Sequence, residues 1–197
     1  MYYDTSHEIF NRFKILEHNY AALAREIPPF EQKKVAFKRE AGVWLNESDE
    51  QKEMINRLSS NREWIAGWDP ENKWYNFPLI LKDTPIGFAK EICPTTIEIL
   101  QSIGGINIAG FALLLPHSRL SPHTDPTGPT YGTMAFNMLL SGEHSSLIVG
   151  KSIHMHELGK AVLFNSELEH YARNDSNNIR TILYMDVQIC HQALTKT

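Results

Sequence analysis

A chain of 197 residues with 42% hydrophobic and 21% charged side chains is long enough for one well-buried domain and short for two. Its formal net charge of -4 disfavours a nucleic-acid partner held on a broad basic face, and no run approaches the ~18 apolar residues of a membrane span. The start Met1-Tyr2-Tyr3-Asp4 is not a signal peptide and the two cysteines, Cys93 and Cys190, have no metal-binding spacing, so the expectation is a cytoplasmic protein with free thiols.

From Ser6 to Glu26 apolar groups recur at Ile9, Phe10, Phe13, Leu16, Tyr20 and Leu23, which predicts a helix ended by Pro28-Pro29. A second short helix follows Ser48, a capping residue with Gln51 three positions on, and turns Met54, Ile55 and Leu58 inward. Trp44, Trp64, Trp68 and Trp74 read as core, with an aromatic substrate wall as the alternative. A third helix begins near Pro94 and buries Ile97, Leu100 and Ile103. From Ile106 onward short strands alternate with Gly, Pro and Asn turns, the pattern of a mainly β core, a β-helix or barrel, buttressed by N-terminal helices. The chain is expected to be one domain, with 1–105 as helical support and first strands and 106–190 as the core.

The chemistry concentrates in that core. His123-Thr124-Asp125 lies in a loop rich in proline, and residues i and i+2 of an extended segment point the same way. Lys160–Asn165 reads as a buried strand, Ser166–Glu169 as a turn, and His170 opens the next strand. Arg180 starts the last strong strand, expected to pair with the previous one across Asp175–Asn178 and so to lie beside the strand of His170. Two imidazoles and a carboxylate form the facial triad of non-haem Fe(II) oxygenases, which leaves one side of the metal open. Arg180 adds a planar, permanent cation suited to the far carboxylate of a dicarboxylic acid. Alone, a His-x-Asp is more often a surface turn; the later histidine and arginine join it into one site. His154 and His156 read as the polar face of an edge hairpin, and His117 and His144 as turn residues.

Pro122–Thr127, Leu163–His170, and Arg180 ten residues after the second histidine resemble the aspartyl/asparaginyl β-hydroxylase branch of the Fe(II)/2-oxoglutarate dioxygenases. The resemblance covers the second half of the chain well and the first half loosely, through Cys93–Thr96 and the strand Gly110–Pro116. It implies a double-stranded β-helix of jelly-roll, cupin-like form. It also implies Fe(II) on His123, Asp125 and His170, and 2-oxoglutarate anchored by Arg180. The reaction would consume O2, release succinate and CO2, and hydroxylate an amino acid, a peptide side chain or a related small metabolite.

Several positions depart from the family. Animal members carry glycine where Asp125 stands, and an Arg-x-Arg-x-His run where this chain has Thr133–Asn137. Asn137 is expected to hydrogen-bond the cosubstrate carboxylate, and Ala112 stands where a cosubstrate-binding serine is expected. With that strand uncharged, aspartyl peptides are expected to be poor substrates and neutral or α-carboxylate-anchored amino acids better ones, unless Arg119 or Arg173 supplies a cation. Arg119, four residues before His123, is the candidate substrate-binding residue, with a structural salt bridge as its alternative role. The competing functions are a cupin-like metal-dependent isomerase or hydrolase, which has no need of Arg180, and a non-catalytic small-molecule-binding module. The sequence leaves the oligomeric state open.

Overall fold

The computed structural model of the chain describes residues 2–3, 8–40, 49–69, 71 and 73–189. The first half contributes β1 (Tyr2–Tyr3), α1 (Lys14–His18), α2 (Tyr20–Arg25), α3 (Asp49–Ser59), β2 (Ile65–Ala66), β3 (Trp74–Leu81), β4 (Thr84–Pro85), α4 (Ala89–Ile92) and α5 (Pro94–Ile103). The second half is strand-rich: β5 (Ile106–Leu114), β6 (Ser118–Arg119), β7 (Thr133–Ser141), β8 (Ser145–Val149), β9 (Ser152–Met155), β10 (Ala161–Phe164), β11 (His170–Asn174) and β12 (Arg180–Gln188). The architecture is mainly β with N-terminal helices, in the form of a double-stranded β-helix. One antiparallel sheet runs β1-β10-β7-β12-β5-β3-β2, with β4 on β3, and a four-stranded sheet runs β6-β11-β8-β9.

Strand alternation explains why the large sheet is buried on both faces. Met134, Phe136 and Met138 of β7 and Leu183, Met185 and Val187 of β12 share one core with Phe10, Phe13, Leu16 and Leu23 of the helical layer. Phe13 and Phe136 meet with ring centroids 5.4 Å apart. The intervening residues turn to the other face, where Ala135, Val162 and Phe164 pack on Leu147 and Val149 of the small sheet. Asn137, Arg180, Ile182 and Tyr184 belong to this second set and line the space between the sheets.

Two local expectations change. The predicted first helix is a 3-10 turn (Glu8–Phe13) followed by α1 and α2, divided at Asn19. There the Asn19 side chain donates to Ile15 O (2.8 Å) and competes with the backbone ladder. In α3, Met54 and Leu58 are buried against Ile65 but Ile55 is exposed, because position 55 lies a third of a turn away from the inward face. The Ser48–Gln51 cap, Trp44 and Cys190 lie outside the described residues. Helix α5 is capped by Glu26, whose carboxylate accepts from Thr95 N–H (2.9 Å), Thr96 N–H (2.7 Å) and Thr96 Oγ–H (2.7 Å). Beside it Cys93 is a buried free thiol, pushed up to about 12 by burial and by the charge of Glu26.

The largest correction concerns Arg180 and His170. β11 pairs with β6 and β8, whereas β12 pairs with β5 and β7, so the two residues sit in different sheets. The turn after β11 is the cause. Asn174 Nδ2 donates to Leu114 O (3.2 Å), Leu115 O (3.0 Å) and Asn178 O (2.7 Å), tying the end of β11 to the end of β5 so that the chain turns the corner instead of folding back. Among the described residues no helix is long and apolar enough to cross a membrane.

Candidate metal and cosubstrate site

The loop after β6 is held to the start of β11 by backbone pairing. His123 N–H donates to His170 O (3.0 Å), His170 N–H donates to His123 O (2.8 Å), and Asp125 N–H donates to Ser166 O (2.9 Å). Asp69 fixes the same loop from outside, its Oδ2 accepting from Ser121 N–H (2.9 Å). These bonds bring His123, Asp125 and His170 together with their candidate ligand atoms within 4.8 Å of one another. The two carboxylate oxygens lie 3.9 Å from His123 Nε2 and 3.6 Å from His170 Nε2.

The donor set fits a cation, and the tautomers show why. His123 Nδ1 is 2.8 Å from Ser121 O and His170 Nδ1 is 2.9 Å from Leu168 O. A carbonyl only accepts, so each Nδ1 carries a hydrogen and each ring turns its Nε2, the atom free to ligate, toward Asp125. In both cases the carbonyl belongs to the residue two before the histidine. Trp68 packs edge-on against the His123 ring (5.3 Å, 76°) and Phe164 against that of His170 (5.2 Å, 64°). Burial, then the neighbouring His123, hold His170 below its ordinary pKa, against the opposing charge of Asp125. The bare, ligand-competent form is thereby favoured.

Arg180 lines the same pocket from the opposite sheet and is 2% exposed. Its Nε–H donates to Ser145 Oγ (3.0 Å), Nη2 is buried with no hydrogen-bond partner, and no carboxylate among the described residues pairs with it. Burial pulls it down to about 9, which still leaves it charged at neutral pH. A buried cation without an anion is costly, and a bound carboxylate would supply the missing partner. Gly142 lets the β7–β8 turn press on this residue: its φ is +98°, and a Cβ there would stand 2.9 Å from Arg180 Cα.

Asn137 is buried in the pocket wall with Oδ1 unpartnered, and Ala112 lines the wall nearby. Arg119 does not reach the pocket. It is exposed on β6 opposite Arg173, and Arg173 pairs with Asp175 (2.9 Å). The alternation of a two-residue strand turns the Arg119 side chain outward while Ser118 goes inward. Trp64 is core, with its Nε1–H donating to Pro28 O and Pro29 O (3.2 Å each), whereas Trp68 and Trp74 line the pocket.

The sequence reading missed a second cation that lines the pocket, Arg39. Its backbone runs beside β2, with Arg39 N–H donating to Ala66 O (2.8 Å) and Ala66 N–H to Phe37 O (2.9 Å). Its guanidinium lies 5.0 Å over the Trp74 ring, Trp74 meets Trp68 at 5.8 Å, and Trp68 meets His123. A chain of ring contacts thus joins Arg39 to the triad. Tyr184 and Asp186 were also missed as pocket residues. Burial, then the charges of Asp125 and Asp186, push the Tyr184 phenol well above its usual range, so it remains an O–H donor. His156, expected on a solvated edge, is buried with Nδ1 3.0 Å from Ser145 Oγ. His117 and His144 are exposed turn residues with positive φ.

A sequence model of the family described as aspartyl/asparaginyl beta-hydroxylase matches residues 17–189. The chain belongs to that family. An uncharacterized protein, L888, of Acanthamoeba polyphaga mimivirus is 27% identical over 161 residues, covering 80% of this chain and 58% of that protein. The ornithine lipid ester-linked acyl 2-hydroxylase of Rhizobium tropici is 28% identical over 98 residues, 48% of this chain and 34% of that enzyme. The chain therefore spans between a third and three fifths of the length of these curated relatives. Among solved structures, the cupin domain of an XRE-family transcriptional regulator from Enterobacter cloacae aligns with 15% identity and a TM-score of 0.42, covering 60% of this chain and 99% of that one. KdgF from Halomonas sp. aligns with 9% identity and a TM-score of 0.42, covering 68% and 92%.

Proposed function

We propose that the protein is an Fe(II)- and 2-oxoglutarate-dependent dioxygenase that hydroxylates an amino acid, a peptide side chain or a related small metabolite. One observation carries this reading: Arg180, buried and with Nη2 unpartnered, lines the same pocket as the His123–Asp125–His170 cluster. An isomerase or hydrolase using the same three ligands has no use for a buried cation across the pocket. The relatedness to an acyl 2-hydroxylase supports hydroxylation as the reaction class.

In this reading His123, Asp125 and His170 hold the iron and leave one side open, while Arg180 receives the far carboxylate of 2-oxoglutarate by charge-assisted hydrogen bonds. With O2, the bound iron and cosubstrate would supply the oxidising chemistry, yielding succinate, CO2 and a hydroxylated substrate carbon. Asn137 offers Oδ1 or its amide hydrogens to the bound acid. Ile182, Leu114, Leu147 and Ala172 make the wall apolar, which excludes water and strengthens each polar contact inside. Arg39, carried on the Trp74 face, is the cation at the substrate side and suits an α-carboxylate or an acidic group.

The test is succinate release from 2-oxoglutarate with Fe(II), ascorbate and a panel of free amino acids and peptides. The expected result is cosubstrate turnover stimulated by one class of substrate. Protein that holds iron stoichiometrically yet neither binds nor turns over 2-oxoglutarate would overturn the reading.

A further inference from the structure

Arg180 is held from behind by a hydrogen-bonded pair that does not line the pocket. Ser145 is fully buried at the start of β8, and His156 is 8% exposed just beyond β9. Backbone pairing fixes them together, with His156 N–H donating to Ser145 O (2.9 Å). The Ser145 hydroxyl stands 3.0 Å from Arg180 Nε and 3.0 Å from His156 Nδ1.

One arrangement of hydrogens gives both the Arg180 Nε–H and the Ser145 hydroxyl a partner. A guanidinium N–H only donates, so Ser145 Oγ accepts from Arg180. The hydroxyl hydrogen then goes to His156 Nδ1. A hydrogen on Nδ1 would give Ser145 Oγ a second donor and leave the hydroxyl hydrogen without an acceptor among the described residues. In that arrangement His156 carries its hydrogen on Nε2, an atom that is buried without a hydrogen-bond partner. Burial, and then the charges of Arg180 and His154, hold the ring well below the ordinary histidine value, against a hydrogen bond to the Ser145 backbone.

We propose that His156 is a positioning residue for the cosubstrate anchor: by accepting the Ser145 hydroxyl it orients that oxygen to receive Arg180 Nε–H, which holds the guanidinium with Nη2 presented to the carboxylate of 2-oxoglutarate. The inference rests on the reading of Arg180 as that anchor. Its consequence is chemical. With Nε engaged by the protein, the acid must be gripped through the terminal nitrogens, and slackening the relay weakens cosubstrate binding without touching the iron ligands.

Anaerobic calorimetric titration of 2-oxoglutarate into the iron-loaded protein tests it, with His156→Leu, His156→Asn and Ser145→Ala alongside the unaltered chain. Losing one buried hydrogen bond of this kind should weaken binding by about three- to tenfold in His156→Leu, with iron content unchanged. His156→Asn, whose amide oxygen can stand where Nδ1 stands, should recover most of that loss. In a Ser145→Ala background His156→Leu should cost nothing more, because both act through one contact. Binding by His156→Leu as tight as the parent's, or penalties that add in full, would overturn the relay. The tautomer is checked without any variant, by nitrogen-15 NMR of the unaltered protein: hydrogen on Nε2 is expected, and hydrogen on Nδ1 would sink the proposal. Failure of the unaltered, iron-loaded protein to bind 2-oxoglutarate at all would instead remove the anchor reading, and this inference with it.

Discussion

Arg180 and His170 line one pocket from opposite sheets, although only ten residues separate them in the chain. The corner tied by Asn174 turns β12 away from β11, and both side chains are then aimed inward by strand alternation. A ligand that meets the His123–Asp125–His170 cluster at one end and the guanidinium at the other must span the space between the sheets. That requirement suits a dicarboxylic acid better than a monocarboxylic one.

The metal prediction follows from the donor set. Replacing both His123 and His170 by alanine should abolish stoichiometric Fe(II) binding by elemental analysis. Asp125→Ala should weaken it, on the scale of tenfold or more for a lost ligand contact. Because the imidazoles must be unprotonated to ligate, occupancy should fall as pH is lowered through the histidine range. Full iron in the double alanine variant would place the ligands elsewhere.

The anchor prediction separates cosubstrate from metal. Arg180→Ala should hold iron but bind 2-oxoglutarate roughly ten- to a hundredfold more weakly, the scale of a hydrogen bond to a charged group. Arg180→Lys should recover only part, since the ammonium loses the planar fork and reaches Ser145 differently. Unchanged affinity in Arg180→Ala, by the same titration, would favour the isomerase reading.

The β-rich second half was legible because its strands alternate cleanly and its motifs are local: His123, Asp125, His170 and Arg180 all announce themselves by spacing. What stayed hidden depends on contacts between distant segments. The pairing of β12 with β5 and β7 is set by the Asn174 corner, whose hydrogen bonds reach back some sixty residues to Leu114 and Leu115. Arg39 belongs to an extended segment with no motif of its own, and its place in the pocket comes from the Ala66 pairing and the Trp74 ring. His156 shares its strand pattern with surface histidines. Only its contact with Ser145, which in turn accepts from Arg180, shows that it is buried for a reason.

A pH prediction concerns Glu26, which caps α5 from the end of α2. Burial pushes its carboxyl up, but the hydrogen bonds from Thr96 and Thr95 outweigh that and hold it below the ordinary glutamate value. A carboxylate with a depressed folded-state pKa contributes stability that is complete above its unfolded value and is lost as pH falls through the folded one. Glu26→Gln should therefore cost about 1 kcal/mol at pH 7, on the scale of a lost helix cap. The difference from the parent should shrink as both are acidified below pH ~4.5. Urea unfolding midpoints between pH 3 and 7 measure this, and a gap independent of pH would show that the charge of Glu26 is not what caps the helix.

The last prediction tests which end of the pocket selects the substrate. Arg39 is a cation that the strand Thr133–Asn137 does not supply, and its place over Trp74, which leads through Trp68 to His123, sets it within the pocket. A carboxylate entering an apolar pocket must find a donor or lose several kcal/mol, so Arg39 should matter for anionic substrates and little for neutral ones. Arg39→Met keeps the aliphatic stem against the indole and removes the charge. For a carboxylate-bearing substrate from the succinate panel, the expected outcome is a KM raised about ten- to a hundredfold with kcat and 2-oxoglutarate affinity largely kept, the pattern of lost uniform binding. For the corresponding carboxamide the same change should be small. Equal loss on acid and amide would mean that Arg39 holds the Trp74 wall rather than the substrate, and aspartyl or α-carboxylate recognition would then have to come from another residue.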